Sequence, residues 1–294
     1  MKSTLIIPTL RLLSWVPLRW QRRVGILCAE LVFLAGTRMV KTTLVNLQLA
    51  YPELNDEQRQ RLTRASLRHT FQTICEAGGT WLWPAERALG CIERIEGLAL
   101  LLQAEKAGKG VLLLAPHLGN WELFGLYLNN CGAGQSHQLF QPPADPALAG
   151  LIHAARGRTG ANMVPTDKHG VATLLRALKA GEIVGILPDQ VPPQESGAFA
   201  PFFGTPALTM TLLNRLQQKT GARVLAGVAR RTSNGFEIVI SEPDPGIYEP
   251  DLTRALAAMN RTVEAMVRPI PEQYQWEYKR FKRQPDGGNS PYQD

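Results

Sequence analysis

The sequence predicts an α/β fold in which a central, largely parallel but mixed sheet is flanked by helices and preceded by a helical N-terminal region. Six short apolar or β-branched runs carry that expectation: "GVLLLAP", "HQLFQ", "ANMVP", "EIVGILP", "ARVLAGVA" and "FEIVIS". Helical stretches separate several of them, as expected of parallel strands whose crossovers cover both faces of a sheet. The first ninety or so residues, by contrast, carry helical spacing and no strand signal.

The elements follow in order. "LIIPTLRLLSWVPLRWQRRVGILCAELVFLAG" is rich in Leu, Val and Trp, but Arg11, Arg19, Arg22 and Arg23 interrupt it. Its clean apolar runs fall short of the ~18–20 residues a spanning helix needs. Two readings stand: a segment lying in a membrane interface, or an amphipathic helix packed on the rest of the chain. Helix then continues to Tyr51, where Pro52 forbids the α conformation. Asn55 is a candidate N-cap, with Asp56 and Glu57 in the positive first turn of a helix that runs to "WLWP". "NWELFGLYLNN", "PALAGLIHAARGR", "HGVATLLRALKAG", "PALTMTLLNRLQQKTG" and "DLTRALAAMNRTVEAMVR" read as helices, and Asn234-Gly235 as a hairpin turn. The expected organisation is a membrane-associated amphipathic segment over 1–36 and one domain over 37–294. That domain divides into a helical part (37–90), an α/β core (91–270) and a basic tail (271–294).

Composition narrows the function. With 294 residues and 45% hydrophobic content, the chain can build one substantial core. Its 32 Lys+Arg against 25 Asp+Glu give a net charge of +7, which favours an anionic partner. The basic residues are scattered and form no recognisable nucleic-acid module, so no nucleic acid is expected. The four cysteines contain no C-x-x-C pair, and free thiols on the cytoplasmic side are expected. No metal is expected either, because the histidines and cysteines lack zinc-ligand spacing. There is no G-x-S-x-G elbow, P-loop or dinucleotide fingerprint.

One stretch concentrates the chemistry. "GVLLLAPHLGNWELFG" runs a buried strand into His117, with Asn120 placed to cap the next helix and Glu122 in its first turn. Ligands of parallel sheets gather beyond the carboxyl ends of strands. A carboxylate on one imidazole nitrogen fixes the tautomer and raises the basicity of the other, which then suits general-base catalysis. His117 with Glu122 as its orienting carboxylate is therefore the candidate pair. H-x₄-[DE] spacing alone is a weak signal, and a structural histidine beside a cap is the competing reading. With no serine or cysteine nucleophile indicated, direct attack by a base-activated substrate hydroxyl is the expected reaction type. Asp189 and Gln190 end "IVGILP" and are expected either to line the site or to hold a long 189–206 loop.

The same residues resemble a known family. "APHLGNWELFG" is similar to the H-x₄-[DE] motif of the lipid A biosynthesis acyltransferases, the late lauroyl/myristoyl transferases of the glycerolipid-acyltransferase superfamily. "VNLQLAYPELNDEQRQRL", "GGTWLWP", "LLRALKAGEIVGILPDQ" with "FFGTPALT", and "PEQYQWEYKRFKRQP" resemble further family landmarks in the same order. The resemblance covers nearly the whole chain. It implies a glycerolipid-acyltransferase-like fold, His117 as general base and Glu122 as its carboxylate. It also implies an acyl thioester of acyl carrier protein as donor, with no cofactor besides that co-substrate. A lipid A precursor hydroxyl is the implied acceptor, and the cytoplasmic face of the bacterial inner membrane the implied location. Arg156, Arg158, Lys168, Arg176 and Lys179 suit steering of an acidic carrier protein. Lys279, Arg280, Lys282 and Arg283 suit lipid phosphates. Asn120 is expected among the substrate-binding residues, and Phe199, Phe202 and Phe203 as core or as walls of an acyl channel. Gln141 stands where the family often has the arginine of a Tyr-Arg-Pro motif. That departure keeps open a different lipid acceptor, such as a lysophospholipid or an amino-lipid. A non-catalytic acyl-carrier or lipid-binding homologue is the alternative from another class.

Overall fold

The computed structural model describes residues 3–292. The outermost two residues of the expected N-terminal segment, and the last two of the expected tail, lie outside the described residues.

Five helices open the chain: α1 (Ser3–Ser14), α2 (Leu18–Leu34), α3 (Arg38–Ala50), α4 (Asp56–Leu82) and α5 (Ala85–Leu89). The expected signals set their limits. Tyr51, ahead of Pro52, leaves the helical region at φ −133°, ψ 66°. Asn55 and Gln58 form a reciprocal capping box, each side chain accepting the other's backbone N–H at 2.9 and 3.0 Å. α2 lies along α4 at close range because Gly25 has no side chain: a Cβ there would sit 2.7 Å from the Phe71 carbonyl oxygen. The outer side of α1 and α2 stays apolar and uncovered. Leu27, Leu31 and Leu34 follow helical spacing at 61–78% exposure, and Leu5, Leu12 and Trp15 add to them. No helix among the described residues is long and apolar enough to cross a membrane.

Seven strands then build one sheet: β1 (Ile92–Glu96), β2 (Val111–Leu114), β3 (Ser136–Phe140), β4 (Asn162–Pro165), β5 (Ile183–Ile186), β8 (Arg223–Arg231) and β9 (Phe236–Ser241). Their spatial order is β1-β9-β8-β2-β5-β3-β4. Every neighbouring pair is parallel except the β8–β9 hairpin, turned at the expected Asn234-Gly235. The helices α6 (Leu98–Lys106), α7 (Trp121–Leu128), α8 (Pro146–Gly157), α9 (Lys168–Lys179), α10 (Leu212–Thr220) and α11 (Leu252–Val267) flank it. The central strands β2 and β5 are buried along their whole length. Leu112, Leu114, Val184 and Ile186 feed the core under α9, α10 and α11, while Val111, Leu113 and Ile183 face Leu123, Phe124 and Leu128 of α7. Continuous apolar runs, rather than alternating ones, are what a sheet covered on both faces demands.

Two expectations need correction. The stretch beginning "PALTM" is not helical from its start. Residues Thr205–Met210 form strand β7, which pairs antiparallel with β6 (Gly197–Phe202) around Phe203-Gly204, and α10 begins only at Leu212. Both turn residues have positive φ, 49° and 76°, as a two-residue hairpin turn requires. That hairpin occupies much of the expected 189–206 loop. β1 also escaped the reading, because "IERIE" is a polar edge strand with little apolar signal.

Candidate active site

The site forms where β2 and β5 end side by side. The two strands are in parallel register, Leu114 opposite Ile186, and each chain then leaves through a proline, Pro116 or Pro188. The third residue beyond each strand is His117 in one case and Asp189 in the other. Their side chains meet, with Nδ1 of His117 lying 2.9 Å from Asp189 Oδ1. The backbone N–H of His117 donates to Asp189 Oδ2, also at 2.9 Å. The carboxylate thereby grips the imidazole and its own backbone together.

That grip sets the protonation pattern. Burial alone would raise the Asp189 carboxyl, but the charge of His117 and the hydrogen bonds from it outweigh burial and hold it below the usual range. An ionised Asp189 takes the proton on Nδ1 and leaves Nε2 as the acceptor. The Gln190 amide nitrogen sits 3.2 Å from Nε2, in place to donate to that lone pair. The imidazole side chain keeps 15% exposure, against 3% for Asp189, so of the two partners the imidazole is the one nearer solvent. Trp121 packs edge-on against the ring at 5.0 Å between centroids.

The turn from β2 into α7 is fixed on two sides. Asn120 N–H donates to the Ala229 carbonyl of β8 at 2.8 Å, and Gly119 N–H to the Gln273 carbonyl at 3.0 Å. The His117 carbonyl accepts from Gln275 N–H at 3.0 Å. Gly119 has φ +62°, and a Cβ on it would lie 2.2 Å from the Ala229 oxygen, so a larger residue would displace the turn.

Glu122 does not hold the imidazole, contrary to expectation. Its Oε2 accepts from Trp81 Nε1 at 3.0 Å and from Arg156 Nε at 2.9 Å, and its Oε1 from Arg156 Nη2 at 2.5 Å. The reason is geometric. Glu122 stands in the first turn of α7 and faces α4 and α8, whereas His117 precedes the helix and faces β5. Burial opposes ionisation of Glu122, yet Arg156 and the indole donors hold its carboxyl below the usual range. Histidine and carboxylate do meet, but the carboxylate comes from the neighbouring strand.

The family described as bacterial lipid A biosynthesis acyltransferase matches residues 2–283. The chain belongs to this family. It is 30% identical to the lipid A biosynthesis palmitoleoyltransferase of Escherichia coli (strain K12), over 84% of this chain and 80% of that protein. It is 28% identical to the lauroyltransferase of the same strain, over 92% of this chain and 88% of that protein. For the myristoyltransferase of that strain the identity is 25%, over 87% and 79%. Family membership supports an acyltransferase acting on a lipid A-type substrate.

Other residues singled out in this lipid A acyltransferase sequence are distributed unevenly. Asn120 is a fully buried cap that accepts from Leu123 N–H at 2.9 Å, not a surface open to substrate. Gln141 follows β3, two strands from β2, and is exposed, where its side chain accepts from the Thr166 hydroxyl. Arg280 is 3% exposed and donates to the Leu208 carbonyl and the Thr209 hydroxyl, so it braces β7 instead of meeting a phosphate. Arg283 is exposed and, with Lys282, Gln194 and Phe199, lines a groove of about 420 Å³. Arg156 is engaged by Glu122, and Arg158 donates to the carbonyls of Trp81 and Thr80, which removes both from a carrier-protein surface. Phe202 and Phe203 are core, packed with Tyr51, Tyr274 and Trp276, and wall no channel.

Some site residues went unnamed in the sequence. Tyr274 is buried against Asp189, and burial, joined by that carboxylate, pushes its phenol well above the ordinary value. The Tyr278 hydroxyl accepts from Val191 N–H at 3.0 Å and steadies the chain just past Gln190. Both lie in the "PEQYQWEYKRFKRQP" stretch, whose dense aromatics were a visible signal. Among the described residues, no group of three or more histidine, cysteine or acidic side chains could hold a metal.

Proposed function

We propose that this protein transfers a fatty acyl chain from the thioester of acyl carrier protein to a hydroxyl of a lipid A precursor, with His117 as general base. The observation that carries the reading is the His117–Asp189 pair at the joint end of β2 and β5, which leaves Nε2 as the accepting nitrogen, held by the Gln190 amide that an acceptor hydroxyl would displace. The acceptor hydroxyl gives its proton to Nε2 as its oxygen attacks the thioester carbonyl. The tetrahedral oxyanion collapses, the carbon–sulfur bond breaks, and the departing thiolate takes the proton back from the imidazolium. Asp189 stays ionised throughout and stabilises the imidazolium, a role worth typically ~10²–10⁴-fold together with the base it orients. Glu122 belongs to the site as the anchor of Arg156 and Trp81 beside the catalytic turn.

The N-terminal helices support a peripheral membrane location. Leu27, Leu31, Leu34, Leu12 and Trp15 form an apolar face with Arg11, Arg19 and Arg23 nearby, a composition suited to the headgroup level of an anionic bilayer. That face supports peripheral membrane attachment, and the family's role in lipid A biosynthesis supports the cytoplasmic face of the inner membrane as the place. The groove beside Lys282 and Arg283 suits the phosphates of the acceptor.

The test is direct. Lipid A from a deletion strain, measured by mass spectrometry, should lack one secondary acyl chain, and the His117→Ala gene should not restore it. An unchanged lipid A profile on deletion refutes the acceptor; full restoration by His117→Ala refutes the base. A profile unchanged in lipid A but altered in another lipid selects the different-acceptor reading that Gln141 raises.

A further inference from the structure

A second ionic centre lies behind the catalytic turn and takes no part in the chemistry above. Glu76 of α4 is 1% exposed and both its oxygens are filled by four donors. Arg22 Nε and Arg231 Nε reach Oε1 at 2.7 and 2.8 Å. Arg231 Nη2 and Asn120 Nδ2 reach Oε2 at 2.7 and 3.0 Å. Burial alone would raise this carboxyl, but the two guanidiniums overcome it and keep it ionised.

The partners come from three different parts of the fold. Arg22 belongs to α2, the helix with the uncovered apolar side, and it also donates to the Thr232 and Gly235 carbonyls of the β8–β9 turn. Arg231 ends β8 and also donates to Thr73, whose hydroxyl in turn reaches the Gly119 carbonyl at 3.2 Å. Asn120 caps α7 and follows His117 by three residues. From this juxtaposition we propose that Glu76 is a positioning residue for the catalytic base. It clamps Asn120 and, through Arg231 and Thr73, Gly119, so that the turn carrying His117 is held at the ends of β2 and β5.

The physical case rests on what the cap needs. A capping side chain must aim its oxygen at the N3 amide, and Asn120 Oδ1 does so only while its Nδ2 points the other way. Glu76 supplies the acceptor that fixes that orientation. A buried carboxylate with paired guanidiniums is costly to desolvate and adds little to stability by itself, so retention for a specific geometry is a reasonable use of it. Small displacements at a reacting pair matter: a shift of about 1 Å can cost on the order of a hundredfold in rate.

This inference rests on the acyltransferase reading, and the experiment separates the two. Purified parent, His117→Ala, Glu76→Gln, Asn120→Ser and the double variant Glu76→Gln/Asn120→Ser are assayed for acyl transfer in detergent micelles, with Tm measured alongside. Serine keeps the cap while removing the amide Nδ2 that reaches Glu76, so Asn120→Ser should fold even where Glu76→Gln does not. The expected result is a kcat lower by about tenfold or more in each single variant, at unchanged KM for both substrates. Asn120→Ser should keep the parent's Tm to within a few degrees. The double variant should lose no more than the worse single, because the two residues act as one unit. Full kcat in Asn120→Ser, losses that multiply in the double variant, or losses that track Tm alone would each overturn the positioning role. Those outcomes, with the parent active and His117→Ala inactive, leave the acyltransferase reading standing; an inactive parent removes both.

Discussion

Two carboxylates flank the turn from β2 into α7, and they keep different company. Asp189 holds an imidazole, a side chain that can accept and return a proton during a reaction. Glu122 holds the guanidinium of Arg156, which cannot. Both carboxyls are buried and both are held ionised, so burial and charge do not distinguish them. What distinguishes them is the partner. The first pair can drive a reaction, and the second can only fix geometry and field. The largest effect is expected at Asp189. Asp189→Asn keeps the size and the backbone contact but can offer an N–H to Nδ1, which places the imidazole proton on Nε2. We expect kcat to fall by about 10³–10⁴-fold, the scale seen when a wrong tautomer is imposed on a catalytic histidine. Tm should change little. Steady-state kinetics and a thermal melt on the same preparation check this, and a loss under tenfold would detach Asp189 from the base.

At Glu122 the balance should reverse. Glu122→Gln leaves Arg156 without its counter-charge in a site where the two side chains are 9% and 23% exposed. Breaking a buried pair from one side costs about 3–5 kcal/mol; the partial exposure of Arg156 puts this site near about 3 kcal/mol. A urea titration should show the midpoint fall with an unchanged slope. Adding Arg156→Met to that variant should return part of the lost stability, since the orphaned cation is then gone. The kcat loss in Glu122→Gln should be smaller than in Asp189→Asn. A variant as inactive as Asp189→Asn but as stable as the parent would move Glu122 into the proton-transfer machinery.

The contrast also explains what could be read in advance. Six of the seven strands of the main sheet are legible because they are apolar or β-branched runs, with β2 and β5 bounded by glycine and proline. His117 was legible because it ends such a run. Its partner was misread, since H-x₄-[DE] is a local pattern whereas the contact that forms joins residues 72 positions apart. A signal for it existed: "APH" and "LPD" end two equal runs at the same distance, and parallel pairing of those runs brings the third residues together. The strand end itself points to Asp189 as a residue lining the site or holding the loop, but not to its role. The Glu76 centre was not legible at all. Its ion pair with Arg231 spans 155 residues, and nothing in α4 or β8 alone indicates that these side chains share a buried space. The β6–β7 hairpin was lost for the converse reason, because "PALTM" flows into a helix and its apolar spacing fits either period until its pairing partner is known.

The smallest effect is expected at the third strand end. Gln141 follows β3 as His117 follows β2, yet β5 separates the two strands and the Gln141 side chain faces solvent and Thr166. A side chain with that environment ordinarily changes stability by no more than about 0.5 kcal/mol when replaced. In Gln141→Ala we therefore expect kcat and Tm close to those of the parent, with kcat within about twofold, the same scale expressed as a rate. The informative quantity is KM for the lipid acceptor, measured with Gln141→Ala and Gln141→Arg side by side. If the acceptor's phosphate passes over this edge of the sheet, arginine should lower KM relative to alanine, and the gain should shrink as salt is added. If both variants keep the parent's KM at every salt concentration, acceptor recognition lies elsewhere. The groove at Lys282 and Arg283 is then the next place to substitute.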